Sequence, residues 1–398
     1  MVNGSAAFVA LRDERGAGVR DMVGWGSAAY GASIPPTLIT FDDIVEISCT
    51  RSAYAALRAN GFVVCWGNAG EGGTLRANET GDFKAVRANS TAFVGLKRDG
   101  RLSGWGNLAS GADIPPEIIS QAGYTAVYGA GTAFAAQKSN GQLVAWGSAA
   151  NGGTLPVDIK TLTDCCYIKG NFAAFAARRT NNRVVAWGNV GYGGTVPAEI
   201  AALTDVLSLE GATAQAFSAL RATGQVVAWG AASHGGTVPP EIRSLTDIVE
   251  VVSNWHAFCA RRRNGRVVAW GNATNGGTVP TAVAQCPDIV QVAGSAWAFA
   301  ALRSNGTVVC WGRAESGGDT SRVVGQLTNV RAVYANSNGF CALCSDGRVV
   351  TWGQALGGGD STAVQPALRG LVTTGHKVLA ANASATTDEE WLRALPDA

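Results

Sequence analysis

The sequence predicts an all-β fold: a closed β-propeller of nine short repeats, with mainly three-stranded blades. Three observations predict it. Trp-Gly recurs at Trp25, Trp66, Trp105, Trp146, Trp187, Trp229, Trp270, Trp311 and Trp352, with spacings of 41, 39, 41, 41, 42, 41, 41 and 41 residues. Each Trp-Gly closes a short apolar run that follows a turn signal. The chain opens in the middle of a repeat and offers a matching strand only near its C-terminus. A fixed period in this range marks a repeat architecture.

One unit, residues 247–277, shows the elements in order. Residues 247–252 read as a first strand, 253–256 as a loop and 257–262 as a second strand. Asn264-Gly265 reads as a two-residue hairpin, since both central positions of a type I′ turn need positive φ. Residues 266–270 read as a third strand, followed by a loop with the recurring text GGTVP or GGTLP. The third strand, with Val267, Val268, Ala269 and Trp270, is apolar on both faces, so both must be covered. Sheets packed radially against one another meet that need. The residue before Trp is always small (Gly24, Cys65, Gly104, Ala145, Ala186, Ala228, Ala269, Cys310, Thr351), as close packing against a neighbour requires.

The ends point to ring closure. Residues 8–12 read as a second strand with no first strand before it, and 376–381 resemble the first strand at 330–335. The expectation is that this C-terminal strand completes the first blade and removes the exposed sheet edges. The propeller then spans residues 1–381, and 382–398 form a tail. Thr387 with Glu390 three residues on is a capping-box pattern opening a short helix there.

Composition narrows the function. The chain has 398 residues, 52 of them glycine, only 15% charged, with a net charge of +2. No strong global field draws nucleic acid or an anionic membrane. The nine cysteines mostly stand at Ala-like repeat positions and read as small buried hydrophobes. Cys341 and Cys344 sit three apart on a strand and so face opposite ways. Cys165-Cys166 has no histidine beside it, so zinc is not expected. The three histidines, His234, His256 and His376, fall in different units, and no hydrolase or phosphate-loop motif occurs. No cofactor, no metal and no catalysis are expected. No apolar stretch has transmembrane length and no signal peptide is read. The expected location is cytoplasmic, or within a larger secreted protein.

Strand direction assigns the loops to two faces. The loops between first and second strands, and the residues just after Trp-Gly, share a top face. There the fifth residue after Trp varies inside a constant frame: Tyr30, Glu71, Ser110, Asn151, Tyr192, His234, Asn275, Ser316, Gly357. Either this is a recognition position or it is drift at an exposed tip. The strand-joining loops add Arg51, Phe172, Trp255, His256 and Trp297. Large aromatic loop residues are common interface anchors; the rival reading is that they fill the central channel. The candidate partner-binding residues are therefore Arg51, Phe172, Trp255, His256, Trp297, Tyr30, Tyr192 and His234. The opposite face carries basic residues near the turns, including Arg58, Arg179, Arg221, Arg262 and Arg303. Asp43, Asp164, Asp205, Asp247 and Asp288 recur at the same end. Cross-strand ion pairs explain them, and the interleaved aromatics of a single-strand nucleic-acid binder are missing.

A unit written as a small residue, Phe-Ala-Leu-Arg, Asn-Gly, Val-Val-Ala-Trp-Gly and a Gly-rich loop ending in Pro resembles the regulator of chromosome condensation repeat family. The short period is most similar to bacterial members of the β-lactamase inhibitor protein II type. The resemblance covers residues 2–381 and includes a His before the second strand, at His256. It implies a propeller that binds other proteins through loops on one face; members include an exchange factor, chromatin binders and enzyme inhibitors. Familiar members have seven blades, against nine repeats here. The expected function is a monomeric, bacterial protein-binding module of scaffold or inhibitor type. A carbohydrate-binding protein or adhesin is the alternative, with Tyr30, Tyr192 and the Trp rings stacking on sugars. A third reading is a structural or designed repeat scaffold without a ligand.

Overall fold

A computed structural model describes residues 6–13, 20–77 and 81–368. They form nine antiparallel sheets, one per repeat. Eight have three strands in chain order, as in Ile248–Ser253, Ala257–Arg262 and Val267–Gly271. The first has two, Ala7–Asp13 and Arg20–Gly26. The repeated-sheet expectation holds, with strand limits within one residue of the sequence reading. The strand expected over 376–381 and the tail at 382–398 lie outside the described residues.

One expectation is corrected. The hairpin after the second strand is not a type I′ turn. Gly265 alone has positive φ, at +76°. Gly265 N–H donates to Arg262 O at 2.9 Å and Arg262 N–H to Arg266 O at 2.8 Å. This is the three-residue loop closed by a left-handed glycine. Asn264 serves through its side chain instead, its Oδ1 accepting from Arg266 N–H at 3.1 Å. The GGTVP segments also hold more order than a plain loop. A 3₁₀ turn such as Ala273–Asn275 ends on left-handed Gly276, and a single helical turn such as Thr281–Ala284 follows Pro280. Pro280 is the extended N-cap; where a second proline follows, as Pro36, Pro116 and Pro240 do, it opens the helical turn at no cost in hydrogen bonds.

The sheets pack face to face through nine cores, each shared by two successive sheets. One of the nine lies between the last sheet and the first, with Phe8, Ala10 and Trp25 against Cys341, Leu343 and Val349. Every repeat stacks its Trp on the aromatic directly across the sheet: nine pairs have ring centroids 5.1–5.6 Å apart. Such pairs are worth about 0.5–1.5 kcal/mol beyond their buried area.

The indole N–H then reaches out of its own sheet. Trp270 Nε1 donates to Gly235 O in the preceding repeat at 2.9 Å. Gly235 has φ +87°, and a Cβ there would sit 2.6 Å from the Phe258 ring. Only glycine both turns the chain and leaves room for the ring. Six other Trp residues repeat the bond at 2.8–3.0 Å, and Trp25 makes it to Gly358 of the ninth repeat at 3.1 Å. Trp105 is the exception: its Nε1 is buried without a partner.

In all eight three-stranded sheets the second residue of the first strand bulges, as Val249 does between Ile248 and Glu250. First strands of successive sheets touch one another. Polar side chains bridge them: Gln291 exchanges two hydrogen bonds of 2.9 Å with the backbone of Val333. Among the described residues no helix is long and apolar enough to cross a membrane.

The indole bond predicts an asymmetry. Trp270→Phe leaves the Gly235 carbonyl buried and unpaired and should cost about 1–3 kcal/mol. Trp105→Phe removes an N–H that bonds no carbonyl and has only the Cys65 thiol beside it, and should cost less. Guanidinium unfolding of the two variants checks the difference; equal losses would refute it.

Candidate interaction surface on the loop face

The loop between first and second strands is built on one polar residue. Asn254, 2% exposed, accepts from His256 N–H at 2.8 Å and Ala257 N–H at 2.7 Å. Its Nδ2 donates to Asn275 O at 2.6 Å, tying the loop to the turn after Trp-Gly. Asn89, Asn171 and Asn336 do the same, and Thr50, Thr213 and Ser295 use a hydroxyl. Short polar side chains bond nearby backbone in this way and so fix turns. In seven of the nine repeats the fifth residue after Trp is therefore anchored through its carbonyl, and Ser110 and Ser316 there are buried. That position is no uniformly exposed tip.

Successive loops are also bonded to each other. Phe172 N–H donates to Ala214 O at 3.3 Å, Ala214 N–H to Trp255 O at 2.9 Å, and Trp255 N–H to Ala296 O at 3.3 Å. Arg51, Ser90, Gly131 and Ala296 continue the series, so backbone bonds link the loops of the second to the ninth repeat.

On this frame the structure brings Phe172, Trp255 and Trp297 together, each half-buried. Phe172 meets Trp255 edge to face, with centroids 5.9 Å apart. Trp255 meets Trp297 at 5.3 Å. The small residues between them allow it: Ala214 and Ala296 stand where larger side chains would separate the rings. Trp255 Nε1 has no hydrogen-bond partner. The Arg313 guanidinium lies 5.9 Å over the Trp297 ring and pairs with Glu315 at 2.9 Å. Arg313 was not a candidate in the sequence, because only the fold lays it over that ring.

His234 and His256 also meet, across two repeats. Their rings are 4.8 Å apart, with His234 Nε2 and His256 Nδ1 separated by 3.0 Å. Ser233 Oγ lies 3.0 Å from His234 Nδ1. Burial lowers both pKa values, that of His256 from 6.5 to about 4 with His234 adding to the effect. The sequence placed the two in different units; the pairing needs the offset between one repeat's turn and the next repeat's loop.

The other candidates stay apart from this cluster in their contacts. Tyr192 packs against the core between the fifth and sixth sheets. Tyr30 is exposed. Arg51 is held by Glu71 at 2.8 Å, and Glu71 also accepts from Ser52.

On the opposite face the repeated acids answer the repeated bases. Arg58–Asp43, Arg179–Asp164, Arg221–Asp205, Arg262–Asp247 and Arg303–Asp288 pair at 2.8–3.0 Å. The cysteines are free thiols, and burial pushes Cys49, Cys65 and Cys341 up to about 12. Thiols held that high are poor nucleophiles. Among the described residues no group of three or more His, Cys, Asp or Glu is placed to hold a metal.

No family model matches the sequence, and no curated protein matches it. Solved structures with a similar chain path include the ectodomain of the Physcomitrella patens receptor kinase CR4 (19% identity, TM-score 0.39, 54% of this chain). This chain spans 59% of that ectodomain's length. The CRINKLY WD40 ectodomain of the Arabidopsis thaliana receptor kinase ACR4 matches at 15% identity and TM-score 0.42, over 78% of this chain and 96% of its own. Yeast RCC1 (Prp20), from its complex with Kap60, matches at 12% identity and TM-score 0.43, over 84% and 88%.

The histidine pair predicts a pH dependence. In the unfolded chain both imidazoles take a proton near their ordinary value, roughly 6.5. The folded chain resists that proton, so the unfolded state binds more protons as pH drops from 6.5 towards about 4. Stability should therefore fall with pH across that window and be full above it. Ring proton shifts should show His256 titrating near 4; titration near its ordinary value would break the pair as described. His256→Asn should flatten the stability slope.

Proposed function

We propose that this chain is a non-catalytic, protein-binding β-propeller of the regulator of chromosome condensation repeat type. In this reading its nine sheets close into one ring, the segment 376–381 supplying the first strand of the first sheet. The partner is held by the loop face over the fifth to eighth repeats, centred on Phe172, Trp255 and Trp297.

One observation carries the reading. Three large rings from three separate loops gather into one half-exposed cluster on a rigid frame. Exposed aromatic surface is costly in water and is common where a partner covers it. Aromatic anchors gain the most when a partner excludes water from them. Their packing at 90° and 58° to one another favours a protein over a sugar, because the three rings form no single flat platform for stacking. The opposite face, with its bases paired to acids, offers less to a polyanion.

The test compares wild type with Phe172→Ala, Trp255→Ala and Trp297→Ala, each of confirmed fold, in capture from native lysate and secretome followed by affinity measurement on the purified partner. Each substitution should weaken binding by about 2 kcal/mol or more, a loss of roughly 30-fold. Unchanged affinity in all three would refute the site. A glycan-array signal competed by free sugar, with no protein captured, would replace the reading with the carbohydrate-binding one.

A further inference from the structure

The His234–His256 pair is not needed by the aromatic cluster, and it occurs at one junction only. Where the turn of one repeat faces the loop of the next, the neighbouring junctions carry Tyr192 with Gln215 and Asn275 with Trp297. Two of the chain's three histidines fall on this single facing pair. Both are half-exposed, so an ion in solution reaches them.

We propose that His234 Nε2 and His256 Nδ1 form a two-nitrogen site for one borderline divalent transition-metal ion, of the Zn²⁺ and Ni²⁺ class. Imidazole nitrogen suits these ions. With metal–nitrogen bonds of about 2.05 Å, two ligands lie roughly 3.3 Å apart on a tetrahedral ion and roughly 2.9 Å apart at adjacent square-planar positions. The nitrogens stand 3.0 Å apart, between the two spans, and the rings turn to aim both lone pairs at the ion.

The proton arrangement fits as well. In the Nδ1–H tautomer of His234, Nδ1–H donates to Ser233 Oγ, 3.0 Å away, and Nε2 keeps its lone pair. Metal-binding histidines ordinarily fix their tautomer through such an outer partner. In that tautomer His256 Nδ1–H is the donor to His234 Nε2; on binding, that proton moves to the Nε2 of His256. Both nitrogens then face the ion as acceptors, with no net proton released.

The backbones carrying the rings are held. His256 N–H donates to Asn254 Oδ1 at 2.8 Å, and its carbonyl accepts from Asn272 N–H at 2.9 Å. The His234 carbonyl accepts from Thr213 Oγ1 at 3.0 Å. With no third ligand among the described residues, the remaining coordination positions go to water or to a donor from a bound partner. The site does not depend on the aromatic reading.

The experiment is calorimetric titration of the full chain with Zn²⁺ alone and Ni²⁺ alone, in a non-coordinating buffer at neutral pH. Wild type should take one ion per chain, and Mg²⁺, which prefers oxygen ligands, should give no signal. His234→Ala and His256→Ala should each abolish binding, and Ser233→Ala should weaken it by about tenfold or more. His376→Ala and Cys166→Ser should leave it unchanged. In wild type, Zn²⁺ should move the ring resonances of His234 and His256 and not those of His376, a readout that needs no variant to fold. An absence of saturable binding, or binding that survives both His234→Ala and His256→Ala, would overturn the site.

Discussion

The fold turns on one hydrogen bond found at eight of the nine junctions: the indole N–H of a repeat's Trp to a left-handed glycine carbonyl in the neighbouring repeat. A buried indole must place its single donor, and a short turn must satisfy its carbonyls. Each solves the other's problem, so a sheet that would be marginal alone becomes part of a continuous array. The same glycine must stay bare, because the stacked aromatic lies against it, as Phe258 lies against Gly235. Turn, ring stack and junction are thus one device.

The loop face inherits its rigidity from this device. The turn that carries the glycine also carries the carbonyl that Asn254, Asn171 or Thr213 grips, so the loops are fixed from below by the junctions and sideways by the bonds between successive loops. Side chains on such a frame meet by register. Phe172 can touch Trp255 across a whole repeat because Ala214 between them is small. A site set on locked backbone keeps its geometry without support from a ligand.

Much of this was legible in the sequence because a repeat reports its structure many times over. The Trp-Gly period gave the nine sheets, and the strand limits followed from apolar runs bounded by turns. The acids and bases of the turn face were read as ion pairs, and the pairs are there. What escaped was set by backbone conformation or by contacts between repeats. Asn264-Gly265 looked like a type I′ turn, because the residues alone do not reveal that only the glycine is left-handed. The single helical turns after the prolines are too short to show periodicity. His234 and His256 lie 22 residues apart in chain and belong to different repeats, so no motif spacing links them. Trp297 was grouped with Trp255, yet it stands one position further along its loop, beside Arg313.

The indole bond also has a direction. Every repeat offers a donor towards its predecessor and an acceptor towards its successor, so the junction is heterologous. Contacts of that kind end only by returning to their start, and otherwise propagate from one molecule to the next. Here Trp25 finds Gly358. A chain shortened by one repeat would face the same rule with a different rotation per step. If it could not curve enough to meet itself, its two ends would be complementary to other copies, and polymerisation would be the natural outcome.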